Sequence, residues 1–241
     1  MESLPVDFFV TTGAYTPNVY RDQYPSIDPT SSALSQAGKV VIITGASDGI
    51  GARGFAPQFA RAGPKAIILV GRSESKLKAT EDTLRSINSR VEYLRVPTDI
   101  TSDAAVNKLF EIIREKYGHA DVLVNNAGLF ASMGPIADAD SSKWWADFEV
   151  NVKGAFLVTR GYFKLLGSER TGSVVTLSTG IATGVSAGLS SYSISKGAAL
   201  HLTAYIAAEY PNVTAVAVQP GVVNTDMVVG KSCLQFPSFS C

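Results

Sequence analysis

Hydrophobic and polar positions along the chain follow two periods, which predict two kinds of element. Short runs rich in β-branched residues predict strands buried on both faces at Val40–Thr44, Ala66–Val70, Val91–Val96, Val122–Asn125, Val174–Ser178 and Val213–Val218. Between these runs, apolar residues recur at intervals near 3.6 residues and predict helices over residues 50–62, 74–88, 103–117, 142–166 and 190–209. This alternation predicts an α/β fold, in which helices cover both faces of a doubly wound parallel sheet.

Local signals refine the predicted helices. Ser73 and Ser102 each stand directly before a helical pattern, where a serine hydroxyl caps free backbone N–H groups. Pro57 lies inside the first predicted helix, where a proline forfeits a backbone hydrogen bond at a cost of about 3 kcal/mol. We therefore expect a kink or an early end of the helix at Pro57.

The chain divides into three predicted parts. Residues 1–37 contain prolines and tyrosines without a sustained period, which predicts an irregular arm that packs on the domain, packs on a partner or stays mobile. Residues 38–228 carry the alternating pattern and are predicted to form a single domain. Residues 229–241 are predicted to form a C-terminal tail, because the sequence KSCLQFPSFSC shows no strand alternation.

Composition argues against several classes of function. Lysine plus arginine total 21 residues and so do aspartate plus glutamate, which leaves no net charge to attract nucleic acid or a membrane surface. No apolar run approaches the roughly 18 residues of a membrane span. Two cysteines (Cys233 and Cys241) and two histidines (His119 and His201) are too few for a typical zinc site, and we expect no metal. The opening segment lacks the basic region of a secretory signal, so a cytoplasmic location is expected.

A glycine-rich turn follows the first predicted strand. The strand KVVIIT runs directly into GASDGIG, which places Gly45, Gly49 and Gly51 at the entry to the first helix. Glycine permits a positive φ there and lets a pyrophosphate approach backbone N–H groups that a Cβ would block. The position within a strand, helix, strand unit favours a dinucleotide site, with a plain tight turn as the alternative.

Tyr192 and Lys196 are the strongest candidates for chemistry. On a helix, positions i and i+4 share a face, so the phenol and the ammonium are expected to point into one pocket. A neighbouring cation favours the phenolate, and we expect Lys196 to lower the pKa of Tyr192 from its reference value near 10. Tyr192 could then exchange a proton with a substrate oxygen. A Tyr-x-x-x-Lys pair is also found on solvated helix faces, and that alternative stays open.

Six motifs, taken in this order, resemble those of the short-chain dehydrogenase/reductase family. They are TGASDGIG (residues 44–51), Asp99-Ile100, NNAG (residues 125–128), Asn151, the strand end with Tyr192 and Lys196, and Pro220-Gly221. The resemblance covers roughly residues 38–228 and implies a Rossmann-type fold. It implies an oxidoreductase that transfers a hydride between a nicotinamide cofactor and a small-molecule carbonyl or alcohol substrate.

The resemblance also implies which residues bind the cofactor. The matching positions are Gly45, Ser47, Gly49, Ile50, Gly51, Arg72, Asp99, Ile100, Asn126, Tyr192, Lys196, Val223 and Thr225. Where NAD-dependent members carry an acidic residue after the second strand, this chain has Arg72, and a guanidinium favours the 2′-phosphate of NADP (NADPH) over NAD. Arg72 as an ordinary solvated residue is the alternative.

The implied catalytic residues are Asn151, Thr179, Tyr192 and Lys196. The family places a serine thirteen residues before the tyrosine, and here that position is Thr179. A threonine hydroxyl donates the same hydrogen bond, but its extra methyl fills space beside the substrate, so reduced turnover is expected. Ser178 is the alternative, although strand alternation points it to the opposite side. Asn151 is implied to support a proton relay from Lys196.

The resemblance fails near the C-terminus. Family members continue after the Pro-Gly motif with a helical segment and a seventh strand, whereas this chain ends 20 residues after Gly221 and apparently lacks that strand. Three explanations stay open. The arm or a partner subunit covers the gap in an active enzyme, the chain is a catalytically impaired dinucleotide-binding homologue with a regulatory role or none, or it is a shortened product of a longer enzyme. A homo-oligomer formed through helices 142–166 and 190–209 is also expected from the resemblance.

Overall fold

Six parallel strands form one sheet in the computed structural model, which describes residues 23–221 and 223–227. The strands are β1 (Val40–Thr44), β2 (Ala66–Gly71), β3 (Glu92–Pro97), β4 (Val122–Asn125), β5 (Gly172–Leu177) and β6 (Val213–Val218). Their order in the sheet is β3-β2-β1-β4-β5-β6, with every neighbouring pair parallel. This doubly wound, Rossmann-type order confirms the predicted fold class. The described residues contain no seventh strand, and the predicted tail at 229–241 lies outside them, as do residues 1–22 of the predicted arm.

The described residues form six α-helices, which lie between the strands in the sequence. They are α1 (Ala56–Ala62), α2 (Glu74–Ile87), α3 (Asp103–Tyr117), α4 (Ser141–Phe148), α5 (Ala155–Leu166) and α6 (Ser190–Glu209). One apolar core joins α1 and α2 to one face, and a second joins α3, α5 and α6 to the other. Short 3₁₀ turns lie at Pro25–Ile27, Ser32–Leu34, Ile136–Asp138 and Gly180–Ala182. Within the described ranges, none of the helices has the length and apolar character needed to cross a membrane.

The strands differ in how completely they are covered. Every residue of β1, β2 and β4 is buried, because helices pack on both sides of these central strands. The prediction of burial on both faces is wrong for the others: β3, β5 and β6 each carry partly or fully exposed residues. In β6, Val216 keeps 43% of its surface exposed. For β3 and β6 the reason is position, because these two strands are the edges of the sheet.

The predicted helix starts are confirmed. Ser73 Oγ accepts a hydrogen bond from Lys76 N at 3.4 Å, at the start of α2. Ser102 Oγ accepts one from Ala105 N at 3.3 Å, at the start of α3. Each serine therefore satisfies one of the N–H groups that have no partner within the helix.

The first helix runs past Pro57 instead of ending there. A π-helical turn, Gly51–Phe55, precedes α1, and Pro57 lies in the first turn of α1 itself. A first-turn residue donates no bond within its α-helix, so proline is tolerated at this position. The helix continues to Ala62 and ends at Gly63, whose φ of +67° is accessible to glycine. The expected early end is therefore wrong, and a widened turn accommodates the proline.

The segment predicted as one helix over 142–166 is divided. A π-helical turn, Glu149–Gly154, separates α4 from α5. The backbone stays helical through this turn, so the sequence shows one long helical segment over the range. The predicted strand Val174–Ser178 is also displaced: β5 begins at Gly172, which pairs with Val213, and ends at Leu177.

Candidate active site

The turn after β1 requires glycine for reasons of space and backbone conformation. Gly45 has a φ of +66°, and a Cβ on it would lie 2.7 Å from Asn126 Nδ2 and 2.8 Å from Ala127 Cα. A Cβ on Gly51 would lie 2.3 Å from Gly45 O. The helical turn that begins at Gly49 has first-turn N–H groups without carbonyl partners in the helix. This donor set suits an anionic group such as a pyrophosphate.

Asn126 ties this turn to the end of β4. Its Nδ2 donates to Thr44 O at 2.8 Å and to Gly45 O at 3.2 Å. In return, Thr44 Oγ1 accepts hydrogen bonds from Asn126 N at 3.0 Å and from Ala127 N at 3.1 Å. β1 and β4 are the strands at which the sheet order reverses, so the network lies where such sheets bind ligands.

Three cations lie near the glycine-rich turn or directly after β2: Arg53, Arg72 and Lys76. Arg72 is exposed directly after the strand. Lys76 Nζ lies 3.0 Å from Asp48 Oδ2, and Arg53 Nη2 lies 3.4 Å from Asp48 Oδ1. The Gly49 N–H and the Lys76 ammonium together hold the pKa of Asp48 below its usual value. Asp48 is thus bound to two cations, and the positive charge of Arg72 acts on Asp99.

Ser47, Thr225 and Val223 lie around the turn as well. Ser47 Oγ packs on the end of β2, 3.0 Å from the point where a Cβ on Gly71 would stand. Thr225 is buried, and its Cγ2 lies 3.5 Å from the corresponding point on Gly49. Val223 is half-buried. The segment that follows β6 therefore returns to the glycine-rich turn.

Two other residues predicted to bind the cofactor, Asp99 and Ile100, differ in their exposure to solvent. Asp99 is exposed and accepts hydrogen bonds from Thr101 N at 3.0 Å and Thr101 Oγ1 at 2.8 Å, and these bonds lower its pKa. Ile100 is buried, with its Cδ1 only 2.7 Å from the point where a Cβ on Gly154 would stand. Its side chain belongs to the core, so only its backbone is left to face a ligand.

Tyr192 and Lys196 lie together on α6. Lys196 Nζ is 5.9 Å from the centroid of the Tyr192 ring and donates a hydrogen bond to Leu177 O at 2.9 Å. Lys196 is only 4% exposed, and this burial lowers its pKa to about 8. The Phe130 ring packs on Tyr192 with a centroid separation of 4.9 Å. The Tyr192 ring thus contacts the Phe130 ring and lies near a buried amine.

The pKa of Tyr192 moves in the opposite direction from the one expected. Burial raises it to about 12, and the charge of Asp147 raises it as well. The expected lowering by Lys196 is therefore wrong for this structure, because removal from water outweighs an ammonium at this distance. Tyr192 stays protonated at neutral pH.

Asn151 lies at the centre of the second π-helical turn and is only 2% exposed. Its Oδ1 accepts from Leu129 N at 2.8 Å, while its Nδ2 donates to Leu129 O at 2.8 Å and to Ser195 Oγ at 3.0 Å. A Cβ on Gly128 would lie 3.2 Å from Lys196 Nζ and 3.3 Å from Asn151 Oδ1. The missing side chain at Gly128 thus leaves space in which Asn151 and Lys196 approach each other.

Ser178 and Thr179 end the fifth strand in different environments. Ser178 Oγ is buried, with no hydrogen-bond partner among the described residues. Thr179 is half-buried and immediately precedes the 3₁₀ turn Gly180–Ala182. Successive side chains of an extended segment point to opposite sides, so only one of the two hydroxyls can face the site.

Comparison with known proteins gives the family. The family model for short chain dehydrogenases matches residues 39–232. The chain belongs to the short-chain dehydrogenase/reductase family. Among its curated relatives, "Short chain dehydrogenase tazN" of Aspergillus terreus is 37% identical over 95% of this chain and 49% of its own length. This chain thus spans about half of that relative.

Other relatives match this chain over a larger share of their own length. The "NADPH-dependent pterin aldehyde reductase" of Arabidopsis thaliana is 32% identical over 83% of this chain and 82% of its own length. A short chain dehydrogenase from Shigella flexneri, solved in complex with NADP, matches with a TM-score of 0.72 and 28% identity over 78% of this chain and 79% of that one. One from Escherichia coli CFT073, in complex with NADPH, has a TM-score of 0.71 and 27% identity over 82% and 80%.

Sequence reasoning missed several residues that contact the candidate site. Lys76 stands third in α2, where a cation opposes the helix dipole, and that unfavourable position was the available signal. Asp147 and its partner Ser191 gave a weaker signal. Asp147 interrupts an apolar helical face, but its contacts depend on how two helices meet.

Proposed function

We propose that the protein is an NADP(H)-dependent oxidoreductase that reduces a carbonyl group, or oxidises the corresponding alcohol, with Tyr192 as the group that exchanges a proton with the substrate oxygen. The observation that carries the proposal is the placement of the half-buried Tyr192 and the buried Lys196 on one face of α6, with Asn151 and Lys196 both next to Gly128. The relatives that carry NADP, NADPH or an NADPH-dependent activity support the same chemistry.

The charges at the end of β2 favour NADP over NAD. A carboxylate at position 72 would repel a 2′-phosphate, and this chain has a guanidinium there instead. Lys76 and Arg53 add two cations that already neutralise Asp48. The proposed binding residues are those of the glycine-rich turn together with Arg72, Asp99, Asn126, Lys196, Val223, Thr225 and the backbone of Ile100.

When bound, NADPH supplies the hydride. Thr179 holds the substrate carbonyl oxygen by a hydrogen bond from its hydroxyl, and Tyr192 gives its proton to that oxygen. Lys196 and Asn151 then support return of a proton to Tyr192. The family gives these roles to matching residues, and the protein contributes position and electrostatic environment.

The electrostatics of the unliganded site suit reduction. Burial and Asp147 keep the Tyr192 phenol protonated, as a proton donor must be. The Lys196 ammonium has a pKa of about 8, so its charge is partly lost slightly above neutral pH. Carbonyl reduction should therefore be favoured near neutral pH, whereas alcohol oxidation should need more alkaline conditions.

The decisive experiment combines cofactor titration with a carbonyl screen. NADPH and NADH are titrated separately into the purified protein, with nicotinamide fluorescence and melting temperature as readouts, and ketones and aldehydes are then tested for NADPH oxidation. NADPH should bind with a dissociation constant on the order of micromolar, and Arg72→Gln should weaken it about tenfold without changing NADH. Arg114→Gln, an exposed substitution on α3, is the matched control.

Tyr192→Phe separates chemistry from binding. This variant should bind NADPH like the wild type and lose about a hundredfold or more in turnover. Absence of binding by either nucleotide would contradict the proposal. Tight NADPH binding without turnover on any carbonyl would instead support a catalytically impaired dinucleotide-binding homologue. A cytoplasmic location and a homo-oligomeric state stay predictions from the sequence.

A further inference from the structure

Two residues near α4 face two serines on α6 at the same spacing. Asp147 and Asn151 are four residues apart, as are Ser191 and Ser195, and all four side chains are buried. Ser191 Oγ donates to Asp147 Oδ2 at 2.7 Å, and Asn151 Nδ2 donates to Ser195 Oγ at 3.0 Å. The two serines directly precede Tyr192 and Lys196 in the sequence, so each bond fixes the backbone of a proposed catalytic residue.

The Asp147 carboxylate also holds the loop that follows β4. Its Oδ1 accepts a hydrogen bond from Ala131 N at 2.7 Å. The preceding residue, Phe130, packs its ring on that of Tyr192. Asp147 therefore binds both the helix that carries Tyr192 and the loop whose Phe130 ring packs on Tyr192.

Burying a carboxylate at this position is energetically unfavourable. Asp147 is 0% exposed, and a buried charge is unfavourable unless several hydrogen bonds compensate for the lost water. An apolar side chain would join α4 to α6 without that penalty. Ser191 Oγ also lies 2.6 Å from Trp144 O, so its single hydrogen is shared between two acceptors and leaves the carboxylate partly uncompensated.

We propose that Asp147 is a positioning residue for Tyr192, which fixes the first turn of α6 against the loop at Phe130 and supplies a buried negative charge to the surroundings of Tyr192. This inference rests on the proposed role of Tyr192 as the proton donor. Asp147 acts through Ser191 and through its field, and does not itself touch the substrate.

The surroundings of Tyr192 leave Asp147 as the main anionic influence. The loop Leu129–Ala131 and the segment Thr179–Leu189, which packs on α6 through the bond from Ser193 Oγ to Ile181 O, contain no charged residue. From α4 come Asp147 and the exposed Lys143, the turn Glu149–Gly154 adds the exposed ion pair of Glu149 with Lys153, and α6 itself contributes Lys196. The charge of Asp147 adds to burial in raising the pKa of the phenol.

The test compares Asp147→Asn with Asp121→Asn. Asp121 also accepts a hydrogen bond from a backbone N–H, that of Val40, at 2.8 Å. It directly precedes β4, so it lies at the amino ends of the strands, whereas the candidate site lies at their carboxyl ends. Each protein is labelled with fluorotyrosine, and the Tyr192 resonance is assigned by its loss in Tyr192→Phe and titrated by ¹⁹F NMR. Asp147→Asn should move the Tyr192 titration down by roughly one pH unit, and Asp121→Asn should leave it unchanged.

The pH dependence of turnover should move with the phenol. Loss of the negative charge makes Tyr192 release its proton more readily, so the alkaline decline of NADPH-dependent reduction should begin roughly one unit lower in Asp147→Asn. Ser191→Ala keeps the charge and removes one hydrogen bond. It should lower kcat about tenfold, leave KM for NADPH unchanged and produce no downward shift, while Ser191→Thr should restore the wild-type kcat.

The outcomes separate this proposal from the proposed function. A folded Asp147→Asn protein whose Tyr192 titrates as in the wild type would overturn the positioning role. If Asp147→Asn does not fold, equal kcat values for Ser191→Ala and wild type would overturn it. A wild type without turnover would contradict the proposed function alone, because the NMR titration still measures the influence of Asp147 on Tyr192.

Discussion

Burial acts in opposite directions on the two neighbouring side chains at the centre of the site. Removing an ammonium from water lowers the pKa of Lys196 to about 8, and removing a phenol from water raises the pKa of Tyr192 to about 12. Both changes favour neutral forms. The site therefore holds a protonated acid beside an amine that titrates close to neutral pH, which is an arrangement suited to passing a proton.

The buried amine has a consequence for stability. Between pH 8 and the unfolded pKa near 10.5, the unfolded chain holds a proton on Lys196 that the folded chain releases, so the unfolding free energy should rise with pH in this window. Lys196→Met should remove that rise and stabilise the protein at pH 7 by about 1–2 kcal/mol, net of the lost bond to Leu177 O. Urea unfolding at pH 7, 8, 9 and 10 measures both effects, with Lys164→Met on α5 as an exposed control. Parallel pH profiles for wild type and Lys196→Met would contradict this expectation.

The two hydroxyls at the end of β5 should respond differently to removal. Thr179→Ala should lower kcat/KM at least tenfold, because it deletes the proposed hydrogen bond to the substrate oxygen. Ser178→Ala removes a buried hydroxyl that has no partner among the described residues, so it should leave turnover intact and keep or slightly raise stability. Steady-state kinetics and thermal unfolding of both variants check this. Loss of turnover in Ser178→Ala alone would exchange the two roles.

At the scale of elements, the two π-helical turns absorb demands that a regular helix could not meet. The turn Gly51–Phe55 brings Pro57 into the first turn of α1, and the turn Glu149–Gly154 places Asn151 against Leu129 and α6. Each widened turn costs some helical regularity near the carboxyl edge of the sheet. In return, the helix on either side keeps its apolar face on the core.

The position of Pro57 leads to a prediction about α1. If proline broke a helix interior, Pro57→Ala would stabilise the protein by about 3 kcal/mol. Because Pro57 lies in the first turn of α1, the change should be within about 1 kcal/mol of zero. Denaturant unfolding of Pro57→Ala measures the difference. A gain near the larger value would show that the backbone N–H of residue 57 has a carbonyl to reach.

Periodicity predicted the elements of this chain well, because faces are what periodicity reports. The bounds of β1, β4, β6, α3 and α6 agree with the predicted ranges. The π-helical turns were missed, since the backbone stays helical through each of them and only the hydrogen-bonding partner changes. In the site, the i, i+4 spacing correctly brought Tyr192 and Lys196 together. The pKa of Tyr192 depends on burial and on the charge of Asp147. Neither could be predicted from the sequence, because both depend on how α4 packs against α6.

At the scale of the molecule, the two faces of the sheet are covered unequally by helices at β5 and β6. Val174 of β5 is 0% exposed beneath α5 and α6, whereas Val216 of β6 is 43% exposed on the opposite face. Val175, which pairs with Val216, packs on the core beneath α1 and α2. Apolar cover therefore runs out between β5 and β6 on that face, within the part of the chain that the structure describes.

A matched pair of substitutions measures this asymmetry. Val174→Ala should lower the unfolding free energy by roughly 2 kcal/mol, because it leaves a cavity in a closed core. Val216→Ala deletes the same two methyl groups from a largely exposed position and should cost less than about 1 kcal/mol. Urea unfolding of both variants at one protein concentration gives the comparison. Equal losses would show that the face at Val216 is covered in solution.

The amide of Asn126 has a kinetic consequence. Its hydrogen bonds hold the end of β1 to β4 before any nucleotide binds, so the turn proposed to bind the pyrophosphate has little conformational freedom left to lose. A receptor whose shape is set in advance captures its ligand in one bimolecular step. The observed rate of capture should then grow in proportion to nucleotide concentration, without the plateau that a slow rearrangement imposes.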